Sequence, residues 1–521
     1  MPRAKLDGVP ASAKPRRATP ARRRPQEVSL LGEGFAVGVS TAGFGVEGGY
    51  NGHGEPHNNW ASWEHTGRAE RSGVACDFWQ HPEEVLDRAA AIGCNTFRLS
   101  VEWARLEPEP GHFDQAALER YAEILTLCAA RGLQPMVTLH HFSHPWWLGE
   151  EFWLRPASPD TFLRHVERVL PVLAQHCRHW VTINEPNTVM VMGWMAGAHP
   201  PGRRMAVADA YCVLDNLLTA HVLAAGAILA VQPDAMVTCN TRSSSVYEHD
   251  RLLTDLLLLR SSGVGPGDVD RYVDERRTLH NAAHPPRHAG EMALRRSCAL
   301  LCPYGNGDGV GGAALWTRVR HLSRRPAPRR VIDAVLSSPR TRPLGAIGID
   351  WDDPEASHAL RVPGRPVPGG SRDWSVGRAP WDIAPDSPGL RTWCRTESAF
   401  HPGLPLWVVE NGMASRVEGE RPLHRPDGWD RPRFLRQHLA SVADAVAAGV
   451  PIRAYLHRSL VDSYEWGSYR PRRGLFGVDR SDPAGAIRWM DTDVQGDDSA
   501  GEFSRIVRGL VAGDRSVLGA P

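Results

Sequence analysis

Eight short, mostly apolar runs, separated by stretches of helical periodicity, constrain this chain more than any other feature. They are Phe35–Val39, Thr96–Ser100, Met136–Leu139, Trp180–Ile183, Met236–Cys239, Ala346–Ile349, Leu406–Val409 and Ile452–Tyr455. A strand with one wet face alternates apolar and polar residues. An unbroken apolar run instead reads as a strand covered on both faces, as in a parallel sheet. Helical patterns occupy several of the gaps: Pro82–Ile92, with Glu83 and Glu84 in its first turn and Gly93 at its stop, then Gln115–Ala130 and Arg433–Ala448. Eight such strands with helical crossovers are the count of a closed (β/α)8 barrel, the TIM-barrel architecture. The alternative is an open doubly wound sheet. That fold calls for a Gly-rich phosphate loop after the first strand, and Val39-Ser40-Thr41-Ala42-Gly43 does not have that form.

A chain of 521 residues accommodates one large barrel with long loops. Residues 1–27 are rich in Pro, Ala and Arg without hydrophobic periodicity and read as a disordered tail; residues 28–521 read as a single catalytic domain. Within it, 241–343 fits the strand–helix alternation least. It holds an amphipathic stretch at Leu252–Leu259, a Gly-rich stretch at Gly305–Gly312 and an Arg/Pro run at Arg324–Arg330, and is expected to be a long, lid-like excursion at the barrel mouth.

A formal net charge of +1 gives no global drive toward nucleic acid or a membrane surface. No apolar run reaches the roughly 18 residues of a membrane span. The N-terminal arginines have no apolar segment behind them, so a signal peptide is not expected. Nine cysteines, an odd number scattered through a core-forming chain, point to reduced thiols and a cytoplasmic setting. His280, His284 and His288, with Cys298 and Cys302 nearby, suggest a metal site only superficially, because Pro285-Pro286 breaks a helix that would align them. No metal and no cofactor are expected. The expected partner is a small-molecule substrate, and the oligomeric state is left open.

In a barrel of this kind chemistry sits where strands end and the adjoining loops begin. Two carboxylates stand there: Glu185, after Trp180-Val181-Thr182-Ile183-Asn184, and Glu410, after Leu406-Trp407-Val408-Val409. A charged residue directly behind an apolar strand is costly to bury without partners, so each should face a polar cavity. Two carboxylates across one cavity are what glycosidic cleavage requires, one to protonate the leaving oxygen and one to attack the anomeric carbon or activate water. Strand-end caps or surface ion pairs are the plain structural alternative.

Over residues 35–479 the sequence resembles the family 1 glycoside hydrolases, the retaining β-glucosidase family. The resemblance rests on Phe35-Ala-Val-Gly-Val-Ser-Thr-Ala-Gly-Phe-Gly-Val-Glu-Gly48, Phe97-Arg-Leu-Ser-Val-Glu-Trp-Ala-Arg105, Val137-Thr-Leu-His-His-Phe-Ser-His-Pro145, Thr182-Ile-Asn-Glu-Pro186, Val409-Glu-Asn-Gly412, and Ser459-Leu-Val-Asp-Ser-Tyr-Glu-Trp466 followed by Arg473-Gly-Leu-Phe-Gly477, in that order. It implies Glu185 as general acid/base, Glu410 as nucleophile, Asn184 as a hydrogen-bond partner of the sugar 2-hydroxyl, Arg98 as the cation beside Glu410, and His141, Glu465 and Trp466 as sugar-hydroxyl contacts.

The departures cluster in the sugar-recognition shell. Where the family carries a Gln that clamps two sugar hydroxyls stands Gly45, and where it carries the Trp beneath the sugar ring stands Arg458. The family's sixth strand ends in Gly-Ile-Asn-Tyr-Tyr; here it reads Gly348-Ile-Asp-Trp-Asp352, so that Asp350, Trp351 or Asp352 takes the place of the Tyr that steadies the nucleophile. Arg458 is suited to a carboxylate or phosphate, or to an ion pair with Asp350 or Asp352. The intact Glu465-Trp466 pair argues against a 6-phosphosugar, because the phospho-glycosidase branch replaces it. Three functions are compatible with this pattern: a retaining β-glycosidase for a non-standard glycoside, for instance of a specialised metabolite; a transglycosidase or acid/base rearranging enzyme using the same carboxylates; and a non-catalytic glycoside-binding protein.

Overall fold

All eight runs form strands, and the strands close into one parallel barrel in chain order. In this computed structural model they are β1 (Ala36–Ser40), β2 (Thr96–Ser100), β3 (Gln134–Thr138), β4 (His179–Asn184), β5 (Met236–Arg242), β6 (Ile347–Trp351), β7 (Leu406–Asn411) and β8 (Ile452–His457). The structure describes residues 29–519 apart from 245, 287–288, 306–328, 341, 353–384, 419–420, 426 and 483–486. The ring is sealed by β8 on β1, from Ala36 beside Ala454 to Val39 beside His457. The tail expected at 1–27 lies outside the described residues.

Side chains alternate between the two faces of each strand, which sorts them into two cores. Met136, Val181, Ala346, Trp407, Val409, Ala454 and Leu456 form an apolar cluster inside the barrel. Neighbours such as Phe97, Val137, Trp180, Val237, Val408 and Tyr455 pack outward in the core shared with the helices. Register then fixes which polar residues share the upper layer: Ser40 lies beside Arg98, Asn184 beside Asn240 and Asp350 beside Glu410.

The helices start where their sequences allow. Pro82–Ala91 begins on Pro82 with Glu83 and Glu84 in the first turn, a favourable charge arrangement against the helix dipole. Asp114 caps Gln115–Ala130 by accepting from Ala117 N, and Asp430 caps Arg431–Ala447 by accepting from Arg433 N. Helix Val207–Val231 is apolar nearly all round and would pass for a membrane span by composition, but 72% of its most apolar window is buried within the fold.

The stretch 241–343 departs from expectation. β5 runs on to Arg242, so the excursion starts later, and much of its length is helix: Arg251–Leu257, Val269–Ala283, Ala289–Leu301 and Arg330–Ser337. These helices are tied to the rest of the fold rather than hung over the mouth. Buried Arg251 pairs with buried Glu397, Arg276 Nη2 bonds His401 Nε2 at 2.8 Å, and Arg330–Ser337 docks on Val207–Val231, where Val331 N donates to Asp215. Among the described residues, none from this stretch lines the space beside Glu410. The Gly-rich run beyond Gly305 and the Arg/Pro run as far as 328 lie outside the described residues. So does His288, while His280 and His284 stack on one another 4.6 Å apart.

Candidate active site

Glu185 and Glu410 follow the same logic from opposite sides of the barrel. Each ends an apolar strand, and each is 2% exposed. Glu410 is the penultimate residue of β7. Glu185 follows β4 in the left-handed region (φ 40°, ψ 64°), a conformation that costs a non-glycine residue free energy, and Pro186 then opens a short helix to Met190. One carboxylate oxygen from each of Glu185, Glu410 and Asp350 lies within 4.8 Å of the others. The carboxylates brought together are thus three rather than two.

Glu410 is gripped from two directions. Arg98 Nη1 donates to its Oε1 at 2.5 Å, joined there by Ser40 Oγ at 3.2 Å, and Arg458 Nη1 lies 3.1 Å from Oε2. Arg98 is wholly buried. It also donates to Thr138 Oγ1 at 2.9 Å, Ser40 Oγ at 3.1 Å and Asn184 Oδ1 at 2.5 Å, so one guanidinium orients residues of β1, β3, β4 and β7 together. Asn184 in turn donates from Nδ2 to His141 Nε2 at 3.1 Å and accepts from Asn240 Nδ2 at 2.8 Å. His141 stacks on Trp466, with ring centroids 5.5 Å apart, and burial followed by the Arg98 and Arg458 charges pushes its pKa down, which keeps it neutral. His140 points the other way and accepts from Trp153 Nε1.

The end of β6 splits by strand alternation. Asp350 and Asp352 face the site, whereas Trp351 packs in the outer core, 3% exposed. Trp351 is therefore removed from the substrate-facing set. Its backbone carbonyl holds Asn411 Nδ2 at 2.7 Å. Asp352 is buried, which opposes ionisation, but Arg473, Arg458 and Arg242 outweigh burial and lower its pKa. Arg458 also reaches Glu465 Oε2 at 2.7 Å. Its charge is thus engaged by Glu410, Asp352 and Glu465 at once, a wider ion-pair set than the single Asp contact expected. Burial raises the pKa of Glu185, Arg242 opposes this and Glu410 reinforces it. The direction suits an acid at Glu185, while Arg98 and Arg458 set two guanidiniums against Glu410.

Gly45 does more than omit a side chain. A Cβ there would stand 2.7 Å from the carbonyl oxygen of Tyr464, whose amide donates to Gly45 O at 3.0 Å, so the two loops close on each other through this glycine. We expect Gly45→Gln to cost about 1–3 kcal/mol through overpacking without restoring a sugar clamp. A Tm unchanged from wild type would contradict this packing. The space beside Glu410, lined by Ser40, Thr41, Ala42, His141, Arg458, Glu465 and Trp466 among others, measures about 10 Å3, room for about one water. Arg458 fills what would otherwise be open.

Ser40, Thr138, Asn240, Arg242 and Arg473 complete the site but were not marked in the sequence. Ser40 and Asn240 stand at or near strand ends, the same signal that marks the two glutamates. Arg242 and Arg473 are evident only once Asp352 is seen between them. Trp146 is partly exposed, while Trp153 is core.

Glycosyl hydrolase family 1 matches residues 28–257 and 355–489. β6, with Asp350 to Asp352, falls between the two matched segments. Beta-glucosidase 6 of Oryza sativa subsp. japonica is 24% identical over 486 residues, covering 88% of this chain and 89% of its own. A bifunctional beta-D-glucosidase/beta-D-fucosidase of Bifidobacterium breve is 27% identical over 474 residues, with 86% and 94% covered. A 6-phospho-beta-galactosidase of Streptococcus pneumoniae is 25% identical over 478 residues, with 87% and 95% covered. In fold, the family 1 b-glucosidase from Thermotoga maritima aligns with TM-score 0.64 at 22% identity, over 92% of this chain and 98% of that one. With the match spanning most of the barrel, the chain belongs to glycosyl hydrolase family 1.

Proposed function

We propose that the protein is a retaining β-glycosidase for a glycoside whose glycone is not ordinary glucose, with Glu410 as nucleophile and Glu185 as acid/base. The observation that carries this reading is the carboxylate spacing. One oxygen of Glu185 and one of Glu410 lie within 4.8 Å of each other, whereas an inverting pair stands about 6.5–9.5 Å apart to admit a water. Glu410 attacks the anomeric carbon as Glu185 protonates the departing oxygen; water, activated by Glu185, then releases the sugar. Asn184, fixed by Arg98, Asn240 and His141, bonds the 2-hydroxyl in this reading. All nine cysteines lie outside disulfides, in keeping with a reducing, cytoplasmic setting for this chemistry.

The non-standard glycone rests on Gly45, Arg458 and the small space beside Glu410 that Arg458 lines. An uncompensated loss of one buried clamp and one stacking face costs about 1–3 kcal/mol each for a glucoside. A panel of nitrophenyl β-glycosides covering gluco, galacto, fuco, amino, deoxy, uronic and 6-phospho sugars tests this, with the released anomer followed by NMR. We expect the β-anomer first and glucose among the poorer glycones. Inversion would overturn the mechanism, and glucose as the best substrate would overturn the specificity. A second reading, transfer of the glycosyl group to a metabolite hydroxyl, is favoured by a pocket with room for about one water; a glycosylated acceptor among the products would identify it.

A further inference from the structure

Asp350 has no part in the two-carboxylate scheme, yet it is fully buried within it. It pairs with Glu410 in the β6–β7 register, just past a shift between Ile349 and Asp350, and its Oδ2 accepts from Asn240 Nδ2. One oxygen of its carboxyl lies within 4.8 Å of an oxygen of Glu185 and of one of Glu410, and its buried Oδ1 has no hydrogen-bond partner. The groups around it are Glu185 beyond β4, Cys239 and Arg242 on β5, Glu410 on β7, Arg98 on β2, His141 beyond β3, Arg458, Glu465 and Arg473 beyond β8, and Asp352 on its own strand. With Asp350 itself, these described residues set five carboxyls against four guanidiniums. Burial, then the Glu410 and Glu185 charges, drive the Asp350 pKa well up, while Arg98 opposes them.

We propose, resting on the retaining reading above, that Asp350 is a positioning residue for the acid/base step: its neighbouring carboxyl shares one proton with that of Glu185, and it makes Glu185 a stronger base once that proton is spent. In the first half-reaction a bond forms from Glu410 to the anomeric carbon, the bond to the aglycone oxygen breaks, and that oxygen takes the shared proton. Glu410 loses its negative charge on becoming an ester as the Glu185–Asp350 pair gains one, so the site's charge is unchanged. The two adjacent carboxylates then repel, which raises the affinity of Glu185 for a proton. Water attacks the anomeric carbon, its proton goes to the pair, and the ester bond breaks to restore the Glu410 carboxylate. Three clustered carboxylates could also be read as a cation cage. Here Arg98 at 2.5 Å and Arg458 at 3.1 Å already neutralise Glu410 and would repel a metal ion.

The test is Asp350→Asn in the full chain, assayed on the best glycone of the panel. With a dinitrophenyl leaving group, which needs no acid and leaves deglycosylation limiting, we expect kcat to fall about tenfold while kcat/KM stays within about twofold. With a poor leaving group, the alkaline limb of kcat/KM should move down by about one pH unit, because the proton that two adjacent carboxyls share is then held by Glu185 alone. Infrared difference spectra should also lose a protonated-carboxyl band in the variant. Equal falls in kcat and kcat/KM with an unmoved pH profile would reduce Asp350 to a structural part and overturn the proposal, as would unchanged kinetics or a requirement for a divalent cation. A 2-fluoro glycoside separates the two levels. If wild type forms no adduct, the retaining reading fails and this proposal with it; if the adduct forms normally but Asp350→Asn behaves as wild type, only the role of Asp350 fails.

Discussion

Glu410→Gln is expected to lower turnover of every substrate, however good its leaving group, by about 10⁴-fold or more, because no other step can substitute for the missing bond to the anomeric carbon. The amide keeps the shape but not the charge. Arg98, fully buried, and Arg458, partly buried, would then face a neutral group at position 410, so some loss of stability should accompany the loss of rate. The two effects separate by measurement. Thermal unfolding reports the first, and kcat on a dinitrophenyl glycoside at saturating concentration reports the second. A variant that stays folded and retains turnover within about tenfold of wild type would remove Glu410 from the reaction.

Glu185→Gln should behave differently, and the difference identifies its role. For a glycoside with a poor leaving group, loss of the proton donor should reduce kcat/KM by about 10²–10⁴-fold. A dinitrophenolate departs without protonation, so its kcat/KM should fall far less, while kcat drops because water is no longer activated. Azide needs no general base and should restore kcat, giving a β-glycosyl azide as product. The pH dependence should change in step. Burial and Glu410 raise the Glu185 pKa, so wild-type kcat/KM should hold above the ordinary carboxylate range and decline once Glu185 ionises; the variant should lack that decline. Equal losses for good and poor leaving groups, with no azide effect, would assign Glu185 another role.

The barrel was legible because eight parallel strands covered on both faces leave a mark in the sequence that short-range chemistry cannot imitate: apolar runs that do not alternate. Their ends shifted by up to three residues, as β5 shows by continuing to Arg242, where polar side chains face the site instead of the core. Glu185 and Glu410 were legible because each stands directly behind an apolar strand, whereas Arg98 and Asn184 were marked only by the family resemblance. Trp351 was misplaced because strand alternation was read too loosely. Between Asp350 and Asp352 alternation allows only one facing, and the large apolar ring takes the outer core. Least legible was what depends on distant residues converging: Arg458 held among three carboxylates, the backbone approach that requires Gly45, and the Glu185–Asp350 contact. None has a local signature. The helices between β5 and β6 were underread because their apolar faces meet other helices of the excursion and Val207–Val231, not the barrel.

The central claim is a covalent bond between the sugar and Glu410, and it can be weighed. Wild-type protein incubated with the 2-deoxy-2-fluoro dinitrophenyl form of its best glycone should gain the mass of one fluoroglycosyl group. Digestion should place that mass on the peptide carrying Glu410, and Glu410→Gln should gain none. An enzyme that turns over the parent glycoside yet never acquires the mass, or carries it on a different residue, contradicts the account.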